Sequence, residues 1–155
     1  MNIGFDVDGV VAKSFLRLDK LLGHHEKIWN KLLLTPLGRF LYRNLRRPDK
    51  EVKRLMYCLK AQGYQIIIAT YAFRGNKKVV LEWLKRHEIP CDTVFLPKEG
   101  ESPLEFKVRV VLEGGCDYFV EDQFSLARGI ALRDPEVQVI YYRKREDLNP
   151  LFCKK

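Results

Sequence analysis

The chain has 155 residues, 46% of them hydrophobic and 12% aromatic, which suits one globular domain with a real core and excludes a disordered chain. No apolar run approaches the ~18–20 residues that cross a bilayer, and the N-terminus lacks a secretory signal's basic start and long apolar stretch, so a soluble, cytoplasmic protein with no membrane partner is expected. Against 20 Asp and Glu stand 28 Lys and Arg; the formal charge of +8 draws anions such as phosphorylated metabolites and nucleic acid, or serves solubility alone.

In chain order, residues 2–7 read as a buried strand whose apolar run stops at Asp8-Gly9. Residues 14–45 read as helical, with Leu18, Leu21 and Leu22, then Ile28, Leu32 and Leu33, on one face. Pro36 and Gly38 break that pattern, so a second helix is predicted over 37–45. Pro48 and Asp49 open a helix over 49–62 with Val52, Leu55, Met56 and Leu59 inward, and Gly63 suits its end. An isoleucine-rich strand follows at 65–70, then a helix from Asn76 to His87 with Val79, Val80, Trp83 and Leu84 inward, ended by Pro90. The remaining predicted elements are a strand at 92–96, a helix at 104–112 closed by Gly114-Gly115, a strand at 117–121, a helix at 125–132 and a strand at 137–142. The basic tail, 143–155, is expected to be loosely held. Strands alternating with amphipathic segments make this an α/β fold: a three-layer Rossmann-like domain over 1–155, with a mainly parallel sheet and a small helical insert at 13–47 after the first strand.

In such sheets ligands bind outside the carboxyl ends of the strands, so the residues just past Val7, Ala69, Leu96 and Val120 come first. Asp6 and Asp8 stand two apart, and on an extended segment both side chains face one volume. Two carboxylates there need a proton or a divalent cation between them. An ionised Asp beside Mg²⁺ can attack phosphorus, and a second Asp can carry the leaving-group proton. Gly9 lets the chain turn sharply. Thr70 ends the second strand with a hydroxyl able to bind a phosphoryl oxygen, and Glu121 and Asp122 end the fourth with a second acidic pair. Hard oxygen ligands from separate strands describe a Mg²⁺ site. Lys107, on the helix before that strand, can reach the same mouth and neutralise phosphoryl charge.

These residues resemble the haloacid dehalogenase (HAD) superfamily. Phe5-Asp6-Val7-Asp8-Gly9-Val10-Val11 looks like its first motif, Ile66-Ile67-Ile68-Ala69-Thr70 like its second, Lys107 like its third, and Phe119-Val120-Glu121-Asp122 like its fourth. The likeness spans 2–142 with the motifs in order. It implies a HAD-like fold with a cap at 13–47, and a Mg²⁺-dependent phosphatase working through an aspartyl-phosphate on a small phosphorylated substrate. Carried over, Asp6 is nucleophile and metal ligand, and Asp8 is general acid/base with its backbone carbonyl on the metal. Thr70 binds the phosphoryl group, Lys107 steadies Asp6 and the phosphate charge, and Glu121 and Asp122 hold Mg²⁺ directly or through water. Asp at position 8 favours phosphatase chemistry over dehalogenation. The fourth motif reads Glu-Asp where Asp-Asp is common, which leaves open which acid touches the metal, and Lys98 rivals Lys107 as the motif lysine. Asp-Val-Asp-Gly-Val followed by a Thr-Tyr-x-x-Arg-like stretch is similar to the 5'(3')-deoxyribonucleotidase branch, where Tyr71, Phe73 and Arg74 would contact a base or phosphate.

Elsewhere the ordinary readings compete. His24 and His25 suit surface or hinge positions rather than metal ligation, and Trp83 fits a core-facing helix position. Trp29, Phe40 and Tyr42 could stack on a nucleobase, or pack the insert onto the core. Arg39, Arg43, Arg46 and Arg47 steer an anionic substrate or form a solvated face. Cys58, Cys91, Cys116 and Cys153 lack metal or disulfide spacing and are expected to be small, mostly buried thiols. Two rivals to the metabolite phosphatase stand: a polynucleotide-end phosphatase, favoured by the positive charge, and a non-catalytic binding module on the same fold.

Overall fold

Short apolar runs that alternate between two buried faces form the centre of this protein. The structure is a computed structural model, and it describes residues 1–13, 35–38, 40, 46–71 and 77–152. Its strands are β1 (Asn2–Asp6), β2 (Gln65–Ala69), β3 (Thr93–Phe95), β4 (Tyr118–Glu121) and β5 (Gln138–Tyr141). The helices between them are α1 (Lys50–Ala61), α2 (Lys77–Arg86), α3 (Pro103–Gly114) and α4 (Phe124–Arg133). A 3₁₀ turn (Arg145–Leu148) and a short α5 (Asn149–Phe152) follow.

The strands form one sheet in the order β3-β2-β1-β4-β5, parallel at every pairing. This is the expected α/β architecture, with a sheet that is wholly rather than mainly parallel. On one face Ile3, Phe5, Ile66, Ile68 and Val120 pack against Leu55, Met56 and Leu59 of α1 and Val80, Trp83 and Leu84 of α2. On the other, Ile67, Ala69 and Phe119 pack against Phe106, Val110 and Val111 of α3 and Ile130 of α4. Both faces are therefore buried, as the near-continuous apolar strands require. Gly4 belongs to the second face; a Cβ there would fall 2.4 Å from the Phe119 ring, so a side chain would push β1 off that layer.

Helix ends follow local chemistry. Asp49 caps α1, its carboxylate accepting from Glu51 N at 2.9 Å and Val52 N at 3.2 Å. Ser102 and Glu105 close a capping box on α3 with Pro103 in its first turn, and Gly115 ends the helix in the left-handed region at φ 55°. Pro36, Leu37, Gly38 and Phe40 are helical, and Thr35 Oγ1 accepts from Gly38 N at 3.1 Å. These helical residues fall at the start of the second helix predicted over 37–45, and proline is tolerated in a first turn. The rest of 14–45 lies outside the described residues.

Two expectations fail. The tail is not loose over 145–152: Leu148 and Leu151, 1% and 5% exposed, fill the core layer of α1 and α2. Its apolar spacing outweighs its basic composition. The cysteines are not uniformly buried either, since Cys58 is exposed, Cys91 intermediate and Cys116 buried, while Cys153 lies outside the described residues. Among the described residues, no helix is long and apolar enough to cross a membrane.

The order of the sheet reverses beside β1: β2 and β3 extend to one side, β4 and β5 to the other. That switch point opens a crevice at the carboxyl ends of β1 and β4. Near the opposite edge, Asp92 ties β3 to β2, accepting from Lys60 Nζ at 2.6 Å and Ile66 N at 2.7 Å. Burial pushes its carboxyl up, but these donors outweigh burial and hold it below the ordinary 3.8. A carboxyl lowered on folding contributes stability that is full above its unfolded value and lost as pH falls through the folded one. The urea midpoint of the wild type is expected to fall between about pH 6 and pH 3, and Asp92→Asn to remove part of that fall. An unchanged pH dependence in the variant would show the pair to contribute nothing.

Candidate active site

β1 carries Asp6 to the crevice. The main chain then turns tightly: Val7 N donates to Ala69 O at 3.1 Å, Val11 N to Asp6 O at 3.3 Å and Ala12 N to Val7 O at 2.9 Å. Gly9 sits in this turn at φ 89°, and a Cβ on it would fall 1.8 Å from Asp122 Oδ2. Glycine is needed there twice over, for the conformation and for the approach of the acid. β4 pairs with β1, Phe5 opposite Val120, so Glu121 and Asp122 arrive beside Asp6.

Asp6, Glu121 and Asp122 each offer a carboxylate oxygen, and the three lie within 4.8 Å of one another. Lys107 reaches them from α3. It is 2% exposed, on the inward face with Phe106, Val110 and Val111, and its ammonium stands 5.5 Å from the centre of the Phe119 ring. Lys107 Nζ donates to Asp6 Oδ1 and stands 3.3 Å from Glu121 Oε2. A lysine on an apolar helix face is held there by the acids at its tip.

One ammonium does not balance three carboxylates. Burial pushes Asp6 up to about 7, with Glu121 and Asp8 adding and Lys107 opposing. Burial pushes Asp122 up to about 6, helped by the charge of Asp6. Glu121 is raised too, again by burial first. For Lys107 burial works against the charge, but Asp6 and Glu121 prevail and keep it above its ordinary value. Glu121 Oε1 accepts from Gln123 N at 3.0 Å, whereas the buried Oε2 faces the Lys107 ammonium at 3.3 Å. A compact set of hard oxygen donors with surplus negative charge fits a divalent cation such as Mg²⁺.

Asp8 is placed differently from the expectation. The strand ends at Asp6, so the two-residue alternation stops and the Asp8 carboxylate does not join the three. Its side chain is 48% exposed and paired with Arg46, although its charge still acts on Asp6 and Asp122. Thr70 follows Ala69, which lies opposite Asp6; Thr70 is fully buried, and its Oγ1 has no hydrogen-bond partner. Tyr71 donates its hydroxyl to Glu101 O at 2.7 Å, and its ring tilts 5.9 Å from that of Phe106. Phe73 and Arg74 lie outside the described residues, as do His24, His25, Trp29, Arg39, Tyr42 and Arg43. Phe40 is exposed. The two lysines separate clearly: Lys98 pairs at the surface with Glu113 at 3.4 Å, while Lys107 is inside. Arg46, grouped in the sequence with other arginines, is the residue that reading did not single out. No spacing marks it, since it meets Asp8 only through tertiary structure.

No protein-family model matches this chain, and no curated protein matches it. Solved structures do. A chain of the Pnkp1/Rnl/Hen1 complex aligns with a TM-score of 0.65 at 14% identity, over 91% of this chain and 45% of that one. A hydrolase from Streptococcus pneumoniae TIGR4 aligns at 0.63 and 12% identity over 97% of both chains. A HAD-superfamily hydrolase from Ehrlichia chaffeensis aligns at 0.56 and 12% identity, over 98% of this chain and 95% of that one. This protein thus spans less than half of the chain it matches in the first complex, but nearly all of the two hydrolases. The likeness shows a shared fold, that of HAD-type hydrolases.

Removing the ammonium should expose what it offsets. Lys107→Ala is expected to cost about 3–5 kcal/mol of stability in urea unfolding, because it leaves buried carboxylates uncompensated. Adding Asp6→Asn should recover part of the loss, and strict additivity of the two changes would refute the coupling.

Proposed function

We propose that this protein is a Mg²⁺-dependent phosphohydrolase that cleaves a phosphate monoester through an aspartyl-phosphate on Asp6. One observation carries the reading: Asp6, Glu121 and Asp122 converge with Lys107 at the switch point of the sheet. The shared fold of HAD-type hydrolases supports it.

Each residue has a task. An Asp6 carboxylate oxygen attacks phosphorus as the ester P–O bond breaks. Asp8 gives its proton to the leaving oxygen, and the alcohol departs. Asp8, now a carboxylate, takes a proton from the water that attacks the aspartyl-phosphate; inorganic phosphate leaves and Asp6 is regenerated. Lys107 favours the ionised form of Asp6 against burial and offsets charge on the transferring group. The buried Thr70 hydroxyl, which has no protein partner, donates to a phosphoryl oxygen. Asp6, Glu121 and Asp122 would hold Mg²⁺ with the backbone carbonyl of Asp8, and the ion would supply Lewis-acid stabilisation of the phosphoryl oxygens. The substrate class is a nucleotide or another small phosphorylated metabolite.

A screen of phosphorylated metabolites with Mg²⁺ is expected to find turnover that chelation abolishes and that Asp6→Asn reduces to background. Equal turnover by the variant would overturn the nucleophile. Mg²⁺ at about 100 times its Kd should add about 2.7 kcal/mol to wild-type stability, and less to Asp122→Asn.

A second reading is a polynucleotide-end phosphatase. The +8 charge favours it, as does the likeness to a chain of a complex described as an RNA repair complex. It requires tight, steeply salt-dependent binding of DNA or RNA ends, and a metabolite phosphatase should show neither.

A further inference from the structure

Arg46 stands outside the acidic cluster but is built into the same site. Its Nη2 donates to Asp8 Oδ1, and its side chain is 12% exposed against 48% for Asp8. Its guanidinium carbon lies 5.9 Å from the centre of the Trp83 ring, and Trp83 Nε1 donates to the Arg46 carbonyl at 3.0 Å. Trp83 is itself fully buried on α2. The main chain around Arg46 is tied to the Asp8 turn as well. Lys13 N donates to Arg47 O at 3.2 Å, Asp49 N to Val11 O at 2.8 Å, Ala12 bridges Pro48, and Lys13 Nζ meets Asp49 Oδ2 at 3.1 Å. The turn that carries Asp8 and the segment that carries Arg46 are therefore one hydrogen-bonded unit backed by Trp83.

A half-exposed carboxyl on a turn samples several rotamers and offers either oxygen to the substrate, which makes it an imprecise proton donor. Arginine remedies this better than lysine, because its planar fork fixes direction as well as charge. Resting on the phosphohydrolase reading above, we propose that Arg46 is a positioning residue for that reaction. It anchors Asp8 Oδ1, leaving Oδ2 to carry the proton to the leaving-group oxygen. As the P–O bond breaks, the proton moves from Oδ2 to that oxygen, and the carboxylate left behind stays paired with Arg46.

The discriminating readout is leaving-group dependence, measured as kcat on 4-nitrophenyl phosphate, whose leaving group needs little protonation, and on a simple alkyl phosphate, whose leaving group needs it fully. Arg46→Met keeps an apolar stem over Trp83, and melting temperature is followed alongside. Arg46→Met is expected to lose about 10- to 100-fold on the alkyl ester and less than about threefold on the nitrophenyl ester. Arg46→Lys should fall between, and guanidinium ion in solution should restore part of the alkyl-ester rate of Arg46→Met. Equal losses on both esters, no loss, or faster turnover would each overturn the positioning role. Asp6→Asn is run beside them: a wild type inactive on both esters, or an Asp6→Asn as active as wild type, overturns the phosphohydrolase reading itself, whatever Arg46 does.

Discussion

Holding two buried carboxylates and a partly buried third beside one ammonium is the constraint that organises this molecule. Charges removed from water are costly unless neighbours repay the loss of hydration. Here Lys107, buried on the inner face of α3, repays part of it through Asp6 and Glu121. The remaining negative charge is what a divalent cation is suited to meet. Among the described residues, this cluster sits where the sheet order reverses.

The main chain around that cluster is correspondingly tight. The 7–12 turn is held by its own hydrogen bonds, by Ala69 and by the returning segment at 47–49. Gly9 has Asp122 against its Cα, so the turn and the end of β4 are fitted to each other at contact distance. Asp49 belongs to both worlds, capping α1 while pairing with Lys13. Such rigidity suits a site whose groups must be held within a fraction of an ångström to act together.

A fold shared with hydrolases at 12% identity says how the strands are ordered, and the chemistry has to be read from side chains. The side chains here agree with one another: Thr70 has a buried hydroxyl with no protein partner, and Lys107 brings a buried ammonium from an otherwise apolar helix face to Asp6 and Glu121. An unsatisfied polar atom at that mouth points to a ligand, because a core without one would have replaced it.

The amino-acid sequence alone determined the elements and their type, since strand alternation, helical spacing and capping are local: Asp49, Ser102 and Gly115 act within a few residues of themselves. It also placed Asp6, Thr70, Lys107, Glu121 and Asp122 at element ends facing one edge. Local patterns could not show that the strand stops at Asp6, that Asp8 therefore turns away to Arg46, that Tyr71 is committed to Glu101, or that Leu148 and Leu151 dock a basic tail into the core. Those outcomes depend on contacts between residues dozens of positions apart, such as Arg46 with Asp8 and Lys107 with Asp6. Their geometry exists only once the sheet has set the spacing between its strands.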